Sequence, residues 1–293
     1  MPQKAKAIGY ILTAAFFFAL MTTFVKLAGD LPSMQKSFFR NFVAFFIALI
    51  CLLRSKEKLL HDKRNIPGLI ARSLFGTLGI FCNYYAIDRL LLSDANMLNK
   101  LSPFFAIIAS YFLLNEKVSL RQACCIFLAF IGSLFIIKPT GGFDDSFAAF
   151  LGLIGGICAG IAYTFVRKVS KHGERGPFIV LFFSGFSCLS ALPFLVFQYH
   201  PMTMAQLGSL LCAGLSAAIA QFAITAAYAH APAKEISIFD YTQVIFSAII
   251  GFFLFDQLPD RYSIIGYLII CSVSVFTFYK DNPQLFHKQK PIS

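Results

Sequence analysis

Polar residues along this chain gather in short clusters, and the stretches between them are apolar for far longer than the buried stripe of a soluble helix requires. Ten such runs are read, at about 7–28, 35–53, 67–87, 93–114, 120–138, 147–168, 177–198, 205–229, 235–255 and 262–279. A bilayer core of about 30 Å takes about 20 apolar residues per helix, so each run predicts a membrane-crossing helix. Little chain is left for a soluble domain. The first run follows Lys4 and Lys6, as in a secretory leader, but no small-residue cleavage site comes after it and nine more runs do. It reads as a true first span.

The pattern then repeats. Phe24-Val25-Lys26 returns as Phe165-Val166-Arg167, and the segment SYFLLNEKVSLRQ from Ser110 returns as GFFLFDQLPDRYS from Gly251, at spacings of 140 or 141 residues. At the spacing of 140, Phe112 matches Phe252, Leu114 matches Leu254, Glu116 matches Asp256 and Arg121 matches Arg261. Each half holds five runs. A unit with an odd number of spans enters the membrane from opposite sides in its two copies, which gives inverted-topology repeats. The expected fold is an all-α integral membrane protein of ten transmembrane helices in two inverted five-helix repeats, residues 1–140 and 147–280, with 281–293 a cytoplasmic tail. The polar segment KPTGGFDDS, 138–146, marks the boundary.

Composition agrees. The chain is 58% hydrophobic and 13% charged, against roughly half and a quarter in soluble domains. A net charge of +11 raises the question of nucleic acid, but the placement of the charges answers it. With the N-terminus inside, inner segments collect most of the Lys and Arg, among them Lys56, Lys58, Lys63, Arg64, Lys168 and Lys171, while outer segments hold Lys36, Arg89, Lys138 and Arg261. The basic excess therefore reports topology, with both termini cytoplasmic. It can also touch anionic headgroups, and it gives no nucleic-acid signal. Cysteines 51, 82, 124, 125, 158, 188, 212 and 271 fall in or at the ends of spans, without CxxC or zinc-type spacing, and read as small apolar filler. No metal or other cofactor is expected.

Ten spans in two halves, with an acidic residue closing the fourth span of each, resemble the EamA-type drug/metabolite transporter superfamily. Leu101-Ser102-Pro103-Phe104-Phe105 through Leu114-Asn115-Glu116 is similar to that family's fourth-span signature. Tyr241-Thr242-Gln243 stands where the family often has a Thr/Gln-Pro pair, here without the proline, and Arg40 in Phe38-Phe39-Arg40 is similar to a common second-span arginine. The resemblance implies a transporter in a plasma membrane such as the bacterial inner membrane. It leaves the substrate open among amino acids, nucleotide-like metabolites, vitamins and drugs.

Charges inside a span cost about 2.5–3.5 kcal/mol each on insertion scales, so each needs a reason. Lys26, near the outer end of span 1, and Arg72, near the inner end of span 3, are expected to snorkel to the headgroups. Arg40 can snorkel or face a central cavity. Lys100 and Asp240 match each other at the spacing of 140, a cation in one repeat against an anion in the other. Counted from the ends of straight spans at 1.5 Å per residue, they differ in depth by about 10 Å. A bridge through substrate or water is thus at least as good as a direct pair, and both are expected to face the cavity. Asn96, Lys100 and Pro103 share a helix face with Asn99 beside them. Pro103 is the expected helix break, freeing the Asn99 carbonyl. Asp240, Gln243 and Ser247 share a face with Tyr241 adjacent, and Gln221, Thr225 and Tyr228 line another. Tyr84 and Tyr85, beside Asn83, read as part of an aromatic belt. Thr22, Thr23, Ser184 and Ser187 read as helix-packing residues, as do Gly152, Gly155, Gly156 and Gly160 at small-xxx-small spacing.

The expected function is a secondary carrier, an exporter or exchanger, that holds a small organic metabolite between the repeats. The candidate substrate-binding residues are Lys100, Asp240, Arg40, Asn96, Asn99, Gln243, Tyr241 and Gln221. Asp240 suits an amine or a proton, and Lys100 and Arg40 suit a carboxylate or phosphate. Both signs together point to an amino-acid-like zwitterion. With no nucleotide-binding motif, coupling falls to a proton, an ion or a counter-substrate. Two other classes are weighed. A flippase for a lipid-linked substrate predicts a lateral opening. An intramembrane enzyme needs paired catalytic groups, and His61, His172, His200, His230 and His287 supply no such pairing. A homodimer is compatible with the sequence, which gives it no specific support.

Overall fold

The structure, a computed structural model, describes residues 2–54, 62–115, 119–137, 143–231, 236 and 239–281. The helices are α1 Pro2–Leu27, α2 Ser33–Arg54, α3 Ile66–Arg89, α4 Leu92–Asn99, α5 Ser102–Leu114, α6 Leu120–Ile137, α7 Phe143–Lys171, α8 Gly176–Phe197, α9 Met204–His230, α10 Thr242–Phe255 and α11 Arg261–Asp281. A short 3-10 turn, Lys63–Asn65, precedes α3. Pro67, Pro103 and Pro177 lie in the first turns of α3, α5 and α8, where a missing N–H leaves no intrahelical bond unmade. A capping box of Thr203 and Gln206 opens α9. Gly29 and Gly173 follow α1 and α7 at φ +68° and +83°, a conformation that carries no steric penalty for glycine.

The expected ten spans correspond to these helices with two interruptions. The fourth run divides into α4 and α5 around Lys100 and Leu101, both outside the helices. The ninth divides at Tyr241, with Phe239 and Asp240 helical before it and α10 after it. Among the described residues seven spans are long and apolar enough to cross a bilayer, and 123–136, 242–255 and 261–276 are shorter apolar helical stretches. The expected connector around Lys56 and Lys58, the boundary segment at 138–142 and the tail beyond 281 lie outside the described residues.

Inversion is visible in which connections meet. Gln206 Nε2 donates to Ala28 O (3.1 Å), Lys26 Nζ to Leu90 O (2.8 Å), the Leu92 N–H to Gln257 Oε1 (3.1 Å) and Gln35 Nε2 to His200 O (2.8 Å). The α1–α2, α3–α4, α8–α9 and α10–α11 connections therefore share one face. At the opposite face Asn65 Nδ2 donates to Glu174 Oε2 (3.1 Å), joining the α2–α3 and α7–α8 connections. Since α7, α8 and α9 repeat α1, α2 and α3, equivalent connections lie on opposite faces. Helix packing obeys the same exchange: α1 packs on α9 as α7 does on α3, and α1 on α10 as α7 does on α4 and α5, while α2 faces α8 and α6 faces α11.

The repeat register changes by one residue along the broken spans. The breaks at Leu101 and Tyr241 keep the spacing of 140, but the left-handed residues that end α5 and α10 are Asn115 (φ 53°) and Asp256 (φ 50°). Helix α10 has 14 residues where α5 has 13. Asp256 thus corresponds to Asn115, correcting the expected match to Glu116, which lies outside the described residues. Asn and Asp are the non-glycine residues best suited to this conformation.

Packing around the first break depends on small residues of α7. A Cβ on Gly156 would lie 2.6 Å from Leu98 O, and one on Gly160 would lie 2.5 Å from Ser102 O. Helix α7 thereby approaches the backbone closely on both sides of the break. At a spacing of 141, Ala15 and Ala19 of α1 hold the equivalent positions and are fully buried. Many phenylalanines face outward, among them Phe112, Phe127 and Phe253.

Candidate functional site

The two breaks meet near the middle of the bundle, and their charges meet there too. Lys100 Nζ lies 2.7 Å from Asp240 Oδ1, with side-chain exposures of 4% and 2%. The contact is direct, where the sequence alone left a bridge through substrate or water at least as good. Lys100 closes the C-terminus of α4, the end that favours a cation. Asp240 precedes the N-terminus of α10, the end that favours an anion.

Beside the pair is a central cavity of about 70 Å³ whose lining includes Thr22, Arg40, Arg72, Asn83, Tyr84, Asn99, Lys100, Tyr163, Phe183, Gln221 and Gln243. That volume holds roughly two waters at a liquid share of about 30 Å³ each and falls below the about 300 Å³ of an ordinary ligand pocket. The walls must separate before an organic molecule fits. Arg40 and Arg72 enter from α2 and α3, with exposures of 3% and 2%. Both guanidiniums lie over the Phe183 ring, Arg72 at 3.7 Å from its centroid and Arg40 at 5.8 Å. Tyr163 stacks on Tyr228 at 4.9 Å between centroids, with 12° between their planes.

Of the sequence-derived candidates, Lys100, Arg40, Asn99, Gln243 and Gln221 line the cavity. Asp240 is reached through Lys100. Asn96 sits one layer out: its amide donates to Thr22 Oγ1 (3.2 Å), Ser247 Oγ (3.0 Å) and Leu92 O (2.9 Å), and its Oδ1 accepts from Gln243 Nε2 (2.8 Å). It positions Gln243 and does not itself face the space. Tyr241 is packed in an apolar cluster with Leu98, Phe104 and Ile270, away from the cavity lining. Pro103 stands in the first turn of α5, and the break precedes it.

Two other expectations change. Arg72 does not snorkel. Its Nη1 lies where a Cβ on Gly76, one turn deeper, would be, so the side chain runs along α3 into the membrane interior. An arginine followed four residues later by glycine was the available sequence signal. Tyr84 is buried at 1% exposure against the cavity, so it is no belt residue, whereas Tyr85 carries the Arg89 guanidinium 3.8 Å from its ring centroid. Lys26 bonds to protein through Leu90 O and lies 5.7 Å from the Phe255 ring. Ser187 behaves as expected, meeting the Thr77 hydroxyl between helices.

Polar contacts tie the halves at the α1–α2 face. Asp94 of α4 accepts from Ser263 Oγ (3.1 Å) and from the Tyr267 hydroxyl of α11, and Gln257 and His200 make the bonds given above. Nearby, Lys36 pairs with Asp88 at 2.5 Å, with the lysine side chain fully buried. Outside this layer is a vestibule of about 690 Å³ lined by residues including Lys26, Asp30, Asp88 and Arg89.

Two five-span repeats of opposite orientation, broken helices at their interface and a polar cavity between them define a multi-pass membrane transporter rather than an enzyme. Residues 5–138 and 146–279 each match the EamA-like transporter family, and the chain belongs to that family, within the drug/metabolite transporter superfamily. It is 30% identical over 259 residues to the pseudopaline exporter of Pseudomonas aeruginosa strain UCBPP-PA14, covering 88% of this chain and 90% of that protein. Over 264 residues it is 22% identical to the S-adenosylmethionine uptake transporter of Rickettsia prowazekii, covering 89% and 87%. Human solute carrier family 35 member G1 is 23% identical over 290 residues, covering 94% and 79%. A solved crystal structure 14% identical in sequence superimposes with a TM-score of 0.71 over 97% of this chain and 99% of that one, a likeness of fold.

Proposed function

We propose that this protein is a secondary carrier that moves a small organic metabolite across a bacterial plasma membrane by alternating access, with both termini cytoplasmic. The observation that carries the reading is the central cavity, walled in part by Arg40, Lys100, Gln221 and Gln243, at the meeting point of two broken helices, one from each repeat. The distribution of Lys and Arg supports an outward orientation of the α1–α2 face. Substrate is then enclosed between the halves, and release requires one tied face to part. Relatives named as an exporter and an uptake system support transport in either direction, driven by a proton or a counter-substrate. The expected amino-acid-like zwitterion loses its main support, because Asp240 is engaged by Lys100.

A thermal-shift screen of metabolites on the purified protein, followed by counterflow of the stabilising compounds in proteoliposomes, tests the reading. A metabolite that stabilises the protein and exchanges without ATP is the expected result. Stabilising compounds that never exchange, or exchange only with ATP, would refute it.

The outer ties carry a separate prediction. Asp94→Ala leaves the Tyr267 and Ser263 hydroxyls without their carboxylate acceptor. Hydrogen bonds to charged groups contribute about 1.5–3 kcal/mol, so the outward-open population is expected to rise about tenfold or more. A single cysteine at Gln221, in a background free of native cysteines, reports this as faster modification by an impermeant thiol reagent added outside. An unchanged rate would remove Asp94 from the gate.

A further inference from the structure

The cavity's charges do not balance, and the imbalance has a direction. Arg40, Arg72 and Lys100 line it, while among the described residues Asp240 is the acid that approaches it, and Asp240 is held by Lys100. Two guanidiniums remain, neither with a carboxylate partner among the described residues. Each offers five N–H donors in a planar fork. Arg40 Nη1 donates to Asn41 Oδ1 at 3.0 Å. The Nε of Arg40 and that of Arg72 are both buried without a partner. Buried charges without counter-charges are strongly unfavourable, and two placed over one phenyl ring repel each other as well. Lipid headgroups are out of reach, since both side chains are almost fully buried.

The charges also belong to one half only. Counted from the left-handed glycines after α1 and α7, Gly29 and Gly173, Arg40 corresponds to Ser184. Counted from the helix ends at Leu90 and Ala231, Arg72 corresponds to Ala213. Neither counterpart is charged. Gly76 has no Cβ where Arg72 Nη1 lies, and a methyl there would also meet the Phe183 ring at 2.8 Å. Room is therefore made for a cation on a cavity wall, and no carboxylate among the described residues meets it.

We propose that Arg40 and Arg72 form the anion-binding subsite of this carrier, and that its substrate is a small organic dianion presenting carboxylate or phosphate oxygens to the two guanidiniums. This rests on the carrier reading and names its substrate class. Guanidinium forks match carboxylate and phosphate oxygens bidentately, and both forks lie within 5.8 Å of the Phe183 ring centroid. Asn83, Asn99, Gln221 and Gln243 are left to bind the neutral polar part of the molecule. The Lys100–Asp240 pair contributes no net charge, so the anion is drawn by the arginines alone.

The test is thermal unfolding of the purified full-length protein with succinate, citrate or inorganic phosphate, against sodium chloride at matched ionic strength and against putrescine. At least one of the three anions is expected to raise Tm by about 2–5 °C, with no rise from putrescine. Succinate or citrate acting without phosphate assigns carboxylates, and phosphate acting alone assigns a phosphate ester. Arg72→Gln and Arg40→Gln are each expected to remove the shift. Arg72→Lys keeps the charge without the fork and should retain a smaller shift. Without ligand, Arg72→Gln should unfold at or above the wild-type temperature, whereas a purely structural arginine would lower it. No shift with any of the three anions, or a shift that survives in the Arg40→Gln/Arg72→Gln protein, would overturn the proposal. Counterflow of another metabolite by the same preparation would then leave the carrier reading standing, which separates the two failures.

Discussion

Asp240→Asn is expected to lower transport to less than a tenth of the wild-type rate and to destabilise the protein by about 3–5 kcal/mol, the usual consequence of removing one partner from a buried ion pair. Lys100, with a side-chain exposure of 4%, would keep its charge beside a cavity that already holds two guanidiniums. Lys100→Ala is expected to act in the same direction, leaving the carboxylate buried among the loosened helix ends. The double variant Lys100→Met/Asp240→Leu separates stability from transport. Apolar side chains of similar volume often restore the stability of a buried pair, so its unfolding temperature should return toward wild type. Transport should not return, because the connection between the two breaks is gone. Thermal unfolding in detergent and counterflow in proteoliposomes read both quantities. Wild-type transport in Asp240→Asn at normal expression would remove the pair from the mechanism.

Gly160→Val should have the second large effect, on folding. A Cβ at this position would lie 2.5 Å from Ser102 O and 2.8 Å from both Ala106 N and Phe105 Cβ. Backbone atoms cannot rotate out of the way as a side chain can, so α7 would have to move off the broken span. Overpacking against movable side chains already costs about 1–3 kcal/mol, and a backbone obstruction costs more. The expected result is loss of the monodisperse peak in size-exclusion chromatography. Gly208→Ala is the matched control: a Cβ there meets nothing within 4 Å, and alanine in a helix is favoured over glycine by up to about 1 kcal/mol. Equal yields for Gly160→Val and wild type would contradict the packing described for the break.

Much of the architecture was legible in the sequence, because the bilayer imposes it. Run length gives the spans, the odd repeat gives the inversion, and Pro103 points to the interruption of the fourth span. The site was legible in part. Lys100, Asp240 and Arg40 announce themselves as charges where charge is expensive. Their direct contact was not readable, since the spacing of charges along two spans does not say how far the lysine side chain reaches across a break. Arg72 was misplaced for a related reason. Its position near a span end suits snorkelling, and only the space left at Gly76 turns the side chain inward. Nothing in the pattern separates Phe183, beneath both arginines, from the phenylalanines facing outward. The one-residue slip between Asn115 and Asp256 is invisible to a spacing rule, because the longer α10 absorbs it inside an apolar run.

The central claim is that one cavity, between the repeats, is reached from either side in turn. Its most direct test places a single cysteine at Gln221 in a background free of the native cysteines and adds a cysteine pair at Asp94 and Ser263. Those two side chains meet at 3.1 Å across the α1–α2 face in the native protein. Before cross-linking, the Gln221 cysteine should react with impermeant reagent in right-side-out and in inverted vesicles. After a short bis-thiosulfonate joins the outer pair, reaction in right-side-out vesicles should stop, reaction in inverted vesicles should persist, and transport should cease. Continued outside labelling after complete cross-linking, or full transport with the halves joined, would contradict alternating access through this cavity.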